Sequence, residues 1–343
     1  MAIAGSASDD VWAVGERLPD ARHVFPLLEH WDGRRWAYSA GASLGGRQAY
    51  FTSVAAIASD DVWVVGNFAS VGPRPPAPMI EHWNGRSWSL RPTDALTRLH
   101  SALPYTVTSV TALARNDVWV LGTPGSNSND VYLHWNGGSW TLYRGPKIAH
   151  RLGSAAMQVI TTDHRDHLWA AGGWVGPGES GFPRGGVLEQ WTGRRWQASR
   201  HAAWKEPFTM VAPVGPGNVW ALAGGGFTAA GTFGMSPVQV LHWNGSSWKV
   251  ELSLGGAGSV FASGLAAVSA NDAYVTGQDT ATPQPFIKHW DGTRWQNLPL
   301  GPTRYMRALN SVGVTVTSDG TIAVLETTGR TARTNVLWLR CSH

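Results

Sequence analysis

The feature that most constrains the fold is a pair of short phrases that recurs about every fifty residues. The first phrase, at Ser59–Gly66, has the pattern of a tight turn that leads into a buried strand. The second, at Glu81–Trp88, has the pattern of two strands joined at Asn84-Gly85, where both central residues must tolerate positive φ. A unit repeated at this period buries its apolar face only by stacking against its neighbours.

The spacing of the aromatic residue in the first phrase predicts a propeller. Its copies are Trp12, Trp63, Trp119, Trp169, Trp220, Tyr274 and a degraded seventh at Ile322. Units of about 50 residues fit four-stranded blades. We therefore predict an all-β, seven-bladed β-propeller with four-stranded antiparallel blades, its strands labelled a to d within each blade. One domain spans 1–343, with units at 1–46, 47–101, 102–151, 152–203, 204–258, 259–305 and 306–343.

The last unit differs from the others. The second phrase recurs as paired tryptophans at 31/36, 83/88, 135/140, 191/196, 243/248 and 290/295, but the seventh copy keeps only Val336–Leu339. The hairpin that would begin strand d is missing there. A three-stranded last blade is therefore compatible with the pattern.

Composition excludes several classes of protein. The chain has 20 Trp but only 15% charged residues, and its net charge is +4. Nucleic-acid binding would need basic residues clustered on one face, whereas Lys is rare here and Arg is scattered through turns. No stretch approaches the ~20 apolar residues of a membrane span. A single cysteine, Cys341, excludes an intramolecular disulfide.

The phrases at residues 9–15 (Asp-Asp-Val-Trp-Ala-Val-Gly) and 30–36 (His-Trp-Asp-Gly-Arg-Arg-Trp) resemble the repeats of actinobacterial exported β-propeller proteins. They are more distantly similar to Asp-box propellers, whose Ser-x-Asp-x-Gly-x-x-Trp spacing they lack. The resemblance covers almost the whole chain and implies a bacterial propeller. No basic-then-apolar signal segment is present, so we expect a secreted or cell-envelope protein if such a segment was trimmed, and a cytoplasmic one otherwise.

Function is expected on the residues that do not repeat. The a–b and c–d turns are short and similar in every copy, whereas the b–c loops and d–a connections are long and different. In a propeller those two variable sets open on the same face, around the mouth of the central channel. Variable loops on a rigid frame usually carry binding residues.

One surface of this kind is a ligand platform. Aromatic rings stack on sugars and other rings, and Arg grips carboxylates. We predict that it binds a glycan, another small molecule or a protein, without a cofactor, and that the protein is a monomer with no nucleic-acid partner. Its residues are Arg47, Tyr50, Tyr105, Arg151, Trp204, Tyr305 and Arg307.

The alternative is an enzyme. His100, His150 and His201 occupy similar places in three consecutive d–a connections and could hold one divalent metal ion with an open position. A metal-assisted lyase or hydrolase would then use Tyr105 or Glu206 as proton carrier. Both readings stay open on the sequence, because residues from separate loops constrain each other weakly.

Five further histidines recur once per blade beside a tryptophan of strand c: His30, His82, His134, His242 and His289. A residue repeated around a ring cannot converge on one active site. We predict instead that each serves its own blade through a hydrogen bond to a turn.

Overall fold

A computed structural model of the chain describes residues 2–20, 22–70, 76–93, 105–124, 130–146, 154–163, 167–175, 184–198, 204–225, 237–255, 260–279, 284–299, 309–317, 321–328 and 333–339. Within these ranges all the regular structure is β-strand. The same ranges contain no helix of the length and apolar character that a membrane crossing needs.

The strands pair in chain order into separate antiparallel sheets. The first three blades comprise β1 (Ala2–Ala7), β2 (Asp10–Asp20), β3 (His23–Trp31) and β4 (Trp36–Tyr38); β5 (Ala49–Ala58), β6 (Asp61–Phe68), β7 (Ala77–Trp83) and β8 (Trp88–Leu90); and β9 (Tyr105–Ala114), β10 (Asp117–Pro124), β11 (Val131–Trp135) and β12 (Trp140–Arg144).

The next three blades follow the same order. They comprise β13 (Ser154–Thr162), β14 (Leu168–Val175), β15 (Arg184–Trp191) and β16 (Trp196–Ala198); β17 (Phe208–Gly215), β18 (Asn218–Ala223), β19 (Val238–Trp243) and β20 (Trp248–Leu254); and β21 (Val260–Ser269), β22 (Asp272–Asp279), β23 (Gln284–Trp290) and β24 (Trp295–Leu298). A smaller sheet contains β25 (Leu309–Val316), β26 (Ile322–Thr328) and β27 (Arg333–Leu339).

The prediction of seven blades is wrong. The described residues form six four-stranded blades, and the last unit supplies only a three-stranded sheet, β25–β27. The physical reason is local. The other units make strand d from a hairpin closed by two tryptophans five residues apart, whereas the residue five positions after Trp338 is His343. The all-β propeller class and the four-stranded antiparallel blade are confirmed.

The c–d hairpins turn through four residues. In the second blade Trp83 pairs with Trp88, which leaves residues 84–87 as the loop. The Asn84 side chain accepts hydrogen bonds from the backbone N–H groups of Arg86 and Ser87, both at 3.0 Å. Gly85 has φ of 86°, a left-handed conformation that favours glycine. The Asx-Gly pair therefore marks the turn as predicted, with an Asx side chain as its brace.

Strand b carries a glycine where the inner strand comes very close to it. Strand a of the second blade bulges between Phe51 and Ser53, directly opposite Gly66. A Cβ atom on Gly66 would collide with the carbonyl oxygen of Tyr50. Gly172 is in the same relation to Ala156 in the fourth blade. The repeated Gly of the first phrase is thus a backbone requirement.

A strand-b tryptophan packs against the following blade. Trp63 is 1% exposed, and its ring lies 5.8 Å from Trp135 and 5.7 Å from Trp140 of the following blade. The ring planes are tilted at 51° to the first and 88° to the second, as aromatic pairs prefer. The same contact with a following c–d pair recurs at Trp12, Trp119 and Trp220.

The histidine repeated in strand c is hydrogen-bonded to the a–b turn, as predicted, and its ring also packs on the strand-b aromatic residue. His82 Nε2 lies 2.8 Å from Asp61 Oδ1 at the start of strand b, and the His82 ring lies 4.3 Å from that of Trp63. The five pairs have ring nitrogen to Asx oxygen distances of 2.7–2.9 Å, at His30–Asp10, His82–Asp61, His134–Asp117, His242–Asn218 and His289–Asp272. These histidines are scaffold.

Removing one aromatic side chain from between two blades should destabilise the whole propeller. We expect Trp63→Ala to lower the free energy of unfolding by about 3–5 kcal/mol, because it leaves a cavity between the second and third blades. Urea unfolding followed by circular dichroism measures this. The control is Leu90→Ala, since Leu90 is 43% exposed and should cost under about 1 kcal/mol. Equal losses would contradict the assignment of Trp63.

Candidate functional site

Two kinds of segment form the face predicted to carry function. The d–a connections end where the inner strands begin, and the b–c hairpins turn back beside them. The first b–c loop is more ordered than the sequence predicts. β2 and β3 continue pairing out to Asp20 and His23, and Asp20 accepts from the backbone N–H groups of Arg22 and His23 at 2.8 and 3.0 Å. A β-hairpin therefore projects from the first blade.

A central channel of about 410 Å³ runs between the inner strands β1, β5, β9, β13, β17, β21 and β25. Its wall is made mostly of small apolar and hydroxyl side chains, because a large side chain does not fit where all inner strands converge. No charged residue lines the described part of the channel. The channel therefore offers hydrogen bonds and shape rather than charge.

Five of the polar side chains that line the channel form what we call the bulge ring. Each inner strand of the second to sixth blades has a β-bulge near its first residues, and the unpaired residue there is polar and lines the channel. The bulge ring consists of Thr52, Thr108, Gln158, Thr209 and Ser263. Because the bulges lie near the start of the inner strands, the ring lies toward the face of the d–a connections.

The side chains of the bulge ring differ in whether they have hydrogen-bond partners. Thr52 Oγ1 donates to a backbone carbonyl, that of Val65 or of Val107, each at 3.2 Å. Thr108 Oγ1 has no hydrogen-bond partner among the described residues, and the Gln158 side chain is exposed within the channel. Within the described ranges the Gln158 amide has no hydrogen-bond partner, which leaves it available to a ligand.

A second cavity, the interblade pocket, lies between the first and second blades on the same face. It has a volume of about 210 Å³. Its wall comes from the first b–c hairpin (Arg17, Phe25, Pro26, Leu28), from Tyr38 at the end of β4 and the d–a connection after it (residues 39–42, Leu44, Gly46 and Arg47), and from the second blade (Phe51 and Glu81). The first d–a connection and strands of two blades thus build this pocket, and strand c of the second blade supplies its acidic residue.

Glu81 is the buried acid of the interblade pocket, with 1% of its surface exposed. Its Oε2 accepts a hydrogen bond of 2.8 Å from the backbone N–H of Ala42. Its Oε1 has no partner among the described residues. Burial raises the pKa of Glu81 to about 7, although the Ala42 hydrogen bond lowers it. A buried acid with one unused oxygen is a candidate for ligand contact.

The equivalent place between the third and fourth blades is closed. Glu189 occupies the position of Glu81 in strand c, and Tyr132 occupies the position of Leu28. The Tyr132 hydroxyl donates to Glu189 Oε2 at 2.7 Å, and its ring stacks at 3.9 Å on that of Trp196. The smaller Leu28 side chain leaves this space open between the first two blades.

Five of the residues predicted for the site lie within the described ranges. Arg47 is exposed on the rim of the interblade pocket, with its guanidinium carbon 3.4 Å from the centre of the Phe68 ring. Tyr50 and Tyr105 lie at the start of inner strands rather than in connections, because strand a extends beyond its bulge. Tyr105 is 7% exposed and packs in the core between the second and third blades.

The other two predicted residues, Trp204 and Glu206, lie at the start of the fifth blade. Trp204 is half-buried, its carbonyl accepts from Gly186 N at 2.7 Å, and its indole N–H donates to Gln239 Oε1 at 3.3 Å. The Trp204 ring packs beside the core of that blade. Glu206 is half-buried in the same segment. The structure does not bring these residues together with Arg47 in one described cavity.

The remaining predicted residues lie outside the described residues: His100, His150, His201, Arg151, Tyr305 and Arg307. The metal site therefore stays a prediction. Within the described ranges no group of three His, Cys, Asp or Glu side chains is arranged to hold a metal ion.

Sequence reasoning missed Glu81 and Gln158. The position of Glu81 varies among the blades and is Glu29, Leu133, Glu189, Leu241 and Lys288 in the others. Its burial therefore had no clear signal in the sequence. Gln158 interrupts the small residues of an inner strand, but its place in the channel depends on the bulge, which the sequence does not show.

The buried acids should make stability depend on pH. Burial raises the pKa of Glu189 to about 8, although the Tyr132 hydrogen bond lowers it, and burial with the charge of Glu189 raises the pKa of Asp130. The folded state then keeps protons that the unfolded chain releases above a pKa of about 4.5, so stability falls as pH rises from about 4.5 to 8.

We expect Glu189→Gln to reduce the fall of the unfolding free energy with rising pH. Relative to wild type, the loss of unfolding free energy between pH 5 and pH 8 should shrink by on the order of 1–4 kcal/mol. Urea titrations at both pH values measure it. The control Glu16→Gln, at an exposed position, should keep the wild-type slope. An unchanged slope in Glu189→Gln would show that this acid is ionised in the folded protein.

Comparison with known proteins adds structural neighbours only. No protein-family model matches the chain, and no curated protein matches it. A GH74 xyloglucanase from Xanthomonas campestris is similar over 96% of this chain and 50% of its own length, at 12% identity and a TM-score of 0.65. The chain thus spans half the length of that enzyme.

Two further solved structures are similar. A Hadza microbial sialidase matches over 92% of this chain and 74% of its own length, at 14% identity and a TM-score of 0.57. A PL25 ulvan lyase matches over 87% of this chain and 80% of its own length, at 8% identity and a TM-score of 0.53. At such identities the likeness shows the fold alone. The chain has a propeller fold resembling that of glycan-active propellers.

Proposed function

We propose that this protein is a carbohydrate-recognition propeller that binds a glycan at the mouth of its central channel. The observation that carries the proposal is the bulge ring, a set of polar side chains around one uncharged cavity. Sugar hydroxyls need neutral donors and acceptors at close intervals, which hydroxyl and amide side chains supply. The cavity volume of about 410 Å³ lies within the usual range for small-ligand sites.

The chemistry of the ring favours a sugar over the other partners considered. A protein partner would call for a broad surface with aromatic anchors, but Tyr105 and Trp204 are engaged in core packing. A charged small molecule would find no opposite charge on the described channel wall. The neutral, polyhydroxylated end of a glycan chain needs neither a broad aromatic surface nor a charged wall.

The similarity to a xyloglucanase, a sialidase and an ulvan lyase supports the proposal as an analogy of fold. A secreted or cell-envelope location, suggested by the resemblance to exported bacterial propellers, agrees with a polysaccharide partner. The proposal is of recognition: no paired carboxylates of the kind that cleave glycosidic bonds line the described channel.

The test is binding to soluble polysaccharides. We expect wild-type protein to be retarded in native affinity gels that contain xyloglucan or another neutral glycan from a panel. Gln158→Ala should weaken binding roughly tenfold, because it removes the free amide of the bulge ring. Gln197→Ala is the matched control, since Gln197 is exposed on the outer strand β16 and should bind like wild type.

Two results would contradict the proposal. One is the absence of retardation across neutral and acidic polysaccharides. The other is retention of full affinity by a Gln158→Ala, Thr209→Val double variant, which would place any glycan site outside the channel. Thermal unfolding of each variant checks that the blades are intact.

A further inference from the structure

The interblade pocket has a base, walls and a mouth of different chemistry. The base is Glu81, whose Oε1 is buried and has no partner among the described residues. The walls include the apolar Leu28 and the aromatic rings of Phe25 and Tyr38, and Tyr38 is 60% exposed. The mouth carries two arginines, Arg17 and Arg47. The pocket is separate from the channel, since the two cavities share no lining residue.

The arginines at the mouth are available to a ligand. Both side chains are exposed, and no carboxylate of the described residues lies within ion-pair distance of either guanidinium. Each guanidinium instead lies over a phenylalanine ring, Arg17 at 5.9 Å from Phe25 and Arg47 at 3.4 Å from Phe68. Stacking on a ring leaves the edge of the guanidinium, with its N–H donors, free to bind a carboxylate.

The segment that walls the pocket is held in place. Ser39 N donates to Leu28 O at 2.8 Å, and Trp88 Nε1 donates to Ser39 Oγ at 3.0 Å. Ala42 N donates to Glu81 Oε2, and Gly41 has φ of 65° at a place where a Cβ atom would lie 3.2 Å from that same oxygen. The connection is thus tied to both blades, so the pocket is formed before any ligand arrives.

We propose that the interblade pocket binds one sugar acid unit, with a ring hydroxyl donated to Glu81 Oε1 and the carboxylate held by Arg17 and Arg47. The two guanidiniums exclude a cationic ligand, and the aromatic walls suit the apolar face of a sugar ring. A volume of about 210 Å³ admits a single unit rather than a chain. This site is formed by residues other than those of the bulge ring, and its proposal does not depend on glycan binding in the channel.

The closed equivalent between the third and fourth blades supplies the key variant. Leu28→Tyr should place a hydroxyl beside Glu81 as Tyr132 does beside Glu189, and so fill the pocket from within. Because a tyrosine is accommodated at the equivalent position, we expect the variant to fold with a melting temperature near that of wild type.

The probe is D-glucuronate, titrated by NMR at pH 7 and compared with D-glucose. We expect glucuronate to bind wild-type protein at least tenfold more tightly than glucose. Leu28→Tyr should lower glucuronate affinity at least tenfold, and an Arg17→Gln, Arg47→Gln double variant should do so by roughly tenfold or more. The charge-matched control is Arg34→Gln with Arg86→Gln, which changes two exposed arginines in c–d turns on the opposite face.

The outcomes separate this site from the channel. Loss of glucuronate binding in Leu28→Tyr, with polysaccharide retardation unchanged, supports the interblade pocket. Unchanged glucuronate affinity in both Leu28→Tyr and the Arg17, Arg47 variant overturns it, as does equal binding of glucose and glucuronate. If Leu28→Tyr fails to fold, the arginine variant and its charge-matched control decide. Failure of Gln158→Ala to affect polysaccharide binding bears only on the channel.

Discussion

The packing of one strand-b tryptophan into the next blade is the contact on which the rest of the structure depends. Trp12, Trp63, Trp119 and Trp220 each bury their ring against the c–d tryptophan pair of the following blade. A single blade could not bury such rings, so each blade is stable only beside another. The strand-c histidine and its Asx partner hold the ring in place from within the blade, as His82 and Asp61 do for Trp63.

A frame held in this way leaves a few positions free to vary between blades. The position two residues before the first tryptophan of the c–d pair is Glu81 in the second blade, Leu133 in the third and Glu189 in the fourth. Burial raises the pKa of both acids, and in both Oε1 has no partner among the described residues. They differ in the donor to Oε2, which is the Tyr132 hydroxyl for Glu189 and the backbone N–H of Ala42 for Glu81. One repeated position therefore gives a closed polar contact between one pair of blades and an open pocket between another.

Much of the fold could be predicted because its signals are local. The Asn84-Gly85 turn, the buried strand with Trp63 and the histidine bond to Asp61 all depend on residues close in sequence or repeated at a constant spacing. The blade count was wrong because it was taken from the strand-b copies, whereas a complete blade also needs the c–d hairpin that the last unit lacks. Of the residues predicted for a binding site, Arg47 lies on the rim of a described pocket and Tyr105 is buried in the core, and their role stays a prediction.

The amino-acid sequence by itself determined the propeller, its four-stranded blade and the division between repeated scaffold and variable loops, since these follow from periodicity and turn chemistry. Only the tertiary structure decided which side chains reach a cavity. The inner strands extend past their bulges, which buries Tyr105 and turns Thr52 and Gln158 toward the channel. The pairing of Leu28 with Glu81 across two blades leaves a pocket that neither segment encodes alone, because its volume is a property of their contact.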